Sequence, residues 1–131
     1  MQPSLQNITR ALQKSWNADT AYNPGDWSIE NKARGQCVVS SLIVQDYLGG
    51  DLIRYEISEQ SVHETHYVNK LDDGTIIDTT NSQYITPVNM RLKPIELDRF
   101  NSIREKRLSD DSTAQRYLLL KQRVVEYLEA N

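Results

Sequence analysis

The chain has almost no cysteine: one, Cys37, in 131 residues. A single sulfur excludes an intramolecular disulfide framework and a Cys-based zinc cluster of the finger type. Long apolar runs are missing as well. The longest, such as Val38-Val39 and Leu118-Leu119-Leu120, are far too short to span a membrane. No positively charged stretch near Met1 leads into an apolar one, so no signal peptide is expected and the protein is read as cytoplasmic. Basic residues do not predominate. The 15 Lys and Arg stand against 18 Asp and Glu, a formal charge of −3, which argues against a nucleic-acid partner. Five Gly and four Pro are too few for a disordered or collagenous chain.

What is present is enough for one core. With 38% apolar residues, no repeat and no linker, residues 1–131 read as a single domain. Leu5, Ile8, Leu12 and Trp16 form a helical stripe that starts after Pro3 and ends near Asn17. Residues 17–35, with Pro24, Gly25 and Trp27, read mainly as a loop. Residues 36–48 gather Val38, Val39, Leu42, Ile43, Tyr47 and Leu48 in a length that favours a helix, which Gly49-Gly50 would stop.

Strands are expected at 52–57, 64–71 and 75–80, the last two separated by Asp72-Asp73-Gly74. A three-residue loop ending in glycine sets Leu71 opposite Thr75. Val68 then faces Asp78, and His66 lies diagonally beside Asp78 on the same face. A two-residue Asp-Gly turn would slip the register by one and part them. Beyond Tyr84, Pro87 and Pro94 flank a possible edge strand at 88–92, and the charged stretch 96–107 suggests a short exposed helix. Ser112 with Gln115 has the pattern of a capping box, followed by the stripe Tyr117, Leu120, Val124 and Leu128. The fold class is therefore α+β. N-terminal helices, one bearing the cysteine, pack on a small antiparallel sheet, and a C-terminal helix completes the core.

Few residues are left for chemistry. Cys37 sits where the polar loop meets its helix, and first-turn N–H groups stabilise an anion there. A thiolate attacks acyl carbons with an imidazole to carry the proton and an acceptor to orient the imidazole. His66 and Asp78 fit those roles in the three-residue register. The Gln36 amide is a candidate oxyanion donor, as are the backbone N–H groups of the helix start. A bland reading stands beside this one: Cys37 as a buried small hydrophobe and His66 as a structural hydrogen-bonding residue. His63 and His66 are an odd number of residues apart on a strand and so point to opposite faces; no metal and no cofactor are expected. Trp16 and Trp27 are read as core or lid packing.

The run Asn31-Lys32-Ala33-Arg34-Gly35-Gln36-Cys37, continued by Ser40-Ser41-Leu42-Ile43-Val44-Gln45-Asp46-Tyr47-Leu48-Gly49-Gly50, resembles the YunG-like family of small bacterial proteins. So do Ser15-Trp16 with Thr20, His66-Tyr67-Val68-Asn69, Asp73-Gly74 and Asp78-Thr79-Thr80. The likeness covers about residues 12 to 84 well and the last helix loosely; it brings no substrate. The order Cys, His, Asp is in turn similar to transglutaminase-like and papain-like cysteine enzymes. That resemblance implies Cys37 as nucleophile, His66 as general base and acid, Asp78 as the residue orienting His66, and a papain-like or transglutaminase-like core. Two departures stand out. Gln36 adjoins the cysteine instead of preceding it by several residues, and the chain is short for a two-lobed cleft. The implied function is a cysteine hydrolase or acyltransferase acting on an amide or thioester of a small-molecule or peptide substrate. The alternative is a non-catalytic binding module of the same fold with its cysteine buried.

Overall fold

In the computed structural model, which describes residues 2–59, 62–84 and 86–131, the elements follow the apolar periodicity. Ser4 accepts a hydrogen bond from the Asn7 N–H at 3.2 Å and caps α1 (Leu5–Ser15), whose Ile8, Ala11 and Leu12 are fully buried. Residues 17–35 are irregular, with short 3-10 turns at Ala18–Thr20 and Pro24–Asp26. Next comes α2 (Cys37–Leu48), with apolar residues on more than one face and buried accordingly at Val39, Leu42, Ile43 and Val44. Gly49-Gly50 ends it as expected. At Gly50 φ is +76°, and a Cβ would stand 2.3 Å from the Lys70 carbonyl oxygen, so only glycine lets helix and sheet approach this closely.

β1 (Asp51–Glu59) and β2 (Val62–Lys70) form an antiparallel hairpin, with β3 (Ile76–Ile77) beyond β2 and β4 (Met90–Leu92) beyond β1. The side chain of His63 lies outside the described residues, and with it the expectation about His63 and His66. The β2–β3 loop closes with Gly74 N–H to Leu71 O at 2.9 Å and Leu71 N–H to Thr75 O at 2.8 Å. Asn69 pairs with Ile77 and Lys70 with Ile76, which is the three-residue register. The strand expected over 75–80 stops at Ile77. Asp78 Oδ1 accepts the Thr80 N–H at 3.2 Å, and this side-chain turn bends the chain out of the sheet.

The helix expected over 96–107 is confined to α3 (Ile103–Leu108), because the Ser102 hydroxyl caps it by accepting from Glu105 N–H at 3.0 Å. Likewise α4 (Asp111–Ala130) starts at Asp110, not at a Ser112–Gln115 box. The Asp110 carboxylate accepts from both the N–H and the hydroxyl of Thr113, each at 2.9 Å.

Two apolar clusters flank α2. Ile8, Leu12, Trp16, Val39, Ile43, Leu120 and Val124 join α1, α2 and α4, while Leu42, Leu52 and Tyr67 join α2 to the sheet. Polar pins fix the same contacts: Trp16 Nε1–H donates to Ser40 Oγ at 2.9 Å, and Asn69 Nδ2–H donates to Ser41 O at 2.9 Å. Trp16 thus belongs to the core, whereas Trp27 is half-buried and donates to Lys32 O. Among the described residues the fold is α+β, with four α-helices and a four-stranded antiparallel sheet. None of the helices is long and apolar enough to cross a membrane.

Candidate active site

Cys37 is the first residue of α2. The chain reaches it through Gly35, where φ is +76° and a Cβ would come within 3.0 Å of the Tyr22 nitrogen. That close approach lets the Gly35 carbonyl accept the Tyr22 N–H at 2.9 Å and ties the loop to the helix start. Gln36 follows in the N-cap position without capping the helix through its side chain. The first helical bond runs from Ser40 N–H to Gln36 O at 3.0 Å. The N–H groups of Cys37, Val38 and Val39 therefore precede the helical ladder, at the positive end of the helix dipole. Cys37 is half-buried and lines a cavity of about 450 Å³ between the 22–35 loop, the start of α2, β2 and the α3–α4 junction.

His66, on β2, is fully buried. Its Nε2 lies 2.8 Å from Asp78 Oδ2, the partner that the hairpin register supplies. The same carboxylate is held from behind by the Thr80 N–H, so its direction is fixed. Gln83 Nε2 lies 3.3 Å from His66 Nδ1 and 3.3 Å from Thr80 Oγ1. The Tyr84 ring meets the imidazole edge-on, with centroids 5.3 Å apart and planes at 76°. Burial by itself pushes the imidazole pKa down. Hydrogen bonding to Asp78 and to the Cys37 thiol, with the charge of both, overrides burial and raises it to about 9. Burial also pushes the Tyr84 hydroxyl well above its usual range.

Gln36 is placed differently from its expected role. Its Nε2–H donates to Asn17 O at 3.0 Å, and its Oε1 accepts from the Thr20 hydroxyl at 2.9 Å. It is fully buried and does not line the cavity. Neighbours on a helical backbone are rotated by about 100°, so a residue adjacent to Cys37 points away from it. The Gln36 side chain anchors the 17–20 turn, which leaves the backbone N–H groups of the helix start as the other donors expected there.

Gln83 and Tyr84 had no signal in the sequence, because their place beside His66 depends on the turn that Asp78 starts. Arg34 and Glu64 also line the cavity as an ion pair of 2.7 Å, and Glu64 holds the Arg34 guanidinium above its ordinary pKa. No group of three or more His, Cys, Asp or Glu side chains among the described residues is placed to share a metal ion.

Fold and site together define a small α+β protein in which a cysteine opens a buried helix beside a histidine–carboxylate pair. The chain belongs to the YunG protein family, whose sequence model matches residues 4–129. It is 26% identical over 111 residues to a Bacillus subtilis (strain 168) protein described as "Uncharacterized protein YunG", a span of 85% of this chain and 84% of that one. No solved structure matches it.

Proposed function

We propose that the protein performs thiol-dependent acyl chemistry on an amide or thioester: hydrolysis, deamidation or acyl transfer. One observation carries this reading. His66 pairs with the Asp78 carboxylate at 2.8 Å, and Cys37, whose influence helps raise the His66 pKa, opens onto a cavity. With Nε2 engaged by Asp78, Nδ1, which also lies 3.3 Å from Gln83 Nε2, is the ring nitrogen left to serve the thiol. His66, which its raised pKa keeps protonated at neutral pH, holds the proton that Cys37 gives up while Sγ bonds to the substrate carbonyl carbon. The developing oxyanion is held by first-turn N–H groups of α2. The C–N or C–S bond to the leaving group then breaks, and the leaving group takes the proton from His66. Water or an acceptor nucleophile attacks the thioester, gives its proton to His66, and releases the acyl product with the free thiol. Asp78 orients the ring. The order of the three residues, and a cysteine at a helix start, are similar to transglutaminase-like and papain-like enzymes, whose core this chain would share in reduced form.

The test is the rate of Cys37 alkylation by iodoacetamide between about pH 5 and pH 9 in the wild type and in His66→Ala, with Asp78→Asn as the milder variant. Alkylation faster than that of the unfolded chain at neutral pH, sharply slowed in both variants, is the expected result. A rate equal to the unfolded chain's and indifferent to His66 refutes the reading; an inaccessible thiol favours the binding module. A screen of amide and thioester substrates against wild type and Cys37→Ala then identifies the reaction.

A further inference from the structure

Two guanidinium groups of the Cys37 cavity lack a carboxylate partner among the described residues. Arg107 of α3 and Arg116 of α4 both line it, and the Nε of each is buried without a hydrogen-bond partner. Arg116 donates from one terminal nitrogen to Thr113 Oγ1 at 3.2 Å and lies over the Tyr22 ring, 5.7 Å from its centroid. The third guanidinium of the wall, Arg34, is already neutralised by Glu64 at 2.7 Å. Of the nearby carboxylates, Asp26 accepts from Asn23 Nδ2 at 3.2 Å, and Asp110 is engaged by Thr113 and acts on Arg107 and Arg116 through charge alone. The lining therefore carries three guanidinium groups against two carboxylates. Burial pushes the Arg116 pKa down, and the Cys37 charge is among the influences that push it back, so Arg116 lies within electrostatic reach of the sulfur.

A guanidinium stays charged and offers a planar fork that matches an oxyanion. A buried Nε–H with no acceptor is costly until a ligand supplies one. The cavity, about 450 Å³, suits a metabolite or a dipeptide-sized group better than a long chain. Resting on the acyl-transfer reading above, we propose that the substrate is a small acyl compound bearing an anionic group, carboxylate or phosphate, which Arg107 and Arg116 hold beside Cys37.

Iodoacetate and iodoacetamide deliver the same carbon to sulfur with and without a carboxylate, so the ratio of their rates reads the anion preference directly. Relative to the same chain unfolded in urea, the native wild type shows a ratio raised about tenfold or more, which shrinks as salt is added. Arg107→Gln and Arg116→Gln each lower that ratio by about three- to tenfold, and Arg116→Lys restores part of it. Circular dichroism checks the fold of each variant; where one unfolds, the wild-type ratio and its salt dependence decide. Succinate and inorganic phosphate, as competitors of the iodoacetamide reaction, distinguish a carboxylate from a phosphate by which protects at lower concentration. A native ratio equal to the unfolded chain's, or one that neither arginine replacement lowers, overturns the inference. If iodoacetamide alkylation is meanwhile fast and dependent on His66, the acyl-transfer reading survives. Slow alkylation by both reagents, indifferent to His66, overturns both.

Discussion

Replacing Asp78 by asparagine should flatten the pH dependence of stability between pH 6.5 and about 9. His66 is fully buried and 2.8 Å from the Asp78 carboxylate. Its pKa rises from 6.5 in the unfolded chain to about 9 in the native one, with Asp78 and Cys37 overcoming the opposing effect of burial. Between those values the native state binds a proton at this site that the unfolded chain has released. Stability must therefore fall as pH rises, by about 1.4 kcal/mol per pH unit at most, or on the order of 3 kcal/mol across the window. The contribution is complete below pH 6.5 and gone above about 9. The Asp78→Asn amide keeps the shape but loses the charge, leaving the imidazolium with burial against it and only the thiol in its favour. The His66 pKa then drops and most of the slope disappears. Urea unfolding midpoints at constant m-value across this range measure the effect, and an NMR titration of His66 gives its cause. A wild-type midpoint that stays flat through the window, or a His66 that titrates near 6.5, would refute the argument.

Two further outcomes test the placement of the site. Gly50→Ala should destabilise by at least about 2 kcal/mol in thermal or urea unfolding, since it combines a left-handed backbone with a Cβ 2.3 Å from the Lys70 oxygen. Gln36→Ala should cost about 1–3 kcal/mol by removing its buried hydrogen bonds to the Thr20 hydroxyl and the Asn17 carbonyl while leaving the His66 dependence of Cys37 alkylation intact; loss of that dependence in a folded protein would return Gln36 to the site.

Much of the site was legible in the sequence because it is local. Cys37 at a helix start follows from an apolar segment behind a glycine-bearing loop, and the His66–Asp78 contact spans only 12 residues across a hairpin. The position of glycine in Asp72-Asp73-Gly74 decided between two registers, because slipping a strand by one residue reverses its faces. Where local signals competed, sequence reading failed. Asp110 and Ser112 both suit a cap, and the one that catches the Thr113 donors prevailed. Thr79 and Thr80 favour a strand, yet the Asp78 side chain turned the backbone first.

Periodicity and turn chemistry over a few residues set α1, α2, the hairpin register and the partner of His66. What surrounds them depends on packing between distant segments, and that packing is not written locally. It turned Gln36 into the core, laid Gln83 and Tyr84 against the imidazole, and brought Arg107 and Arg116 to the cavity of a cysteine 70 and 79 positions away. Contacts at that separation leave no local pattern. They arise because α2 carries apolar residues on more than one face, and burying them draws α4 against one side and the sheet against the other.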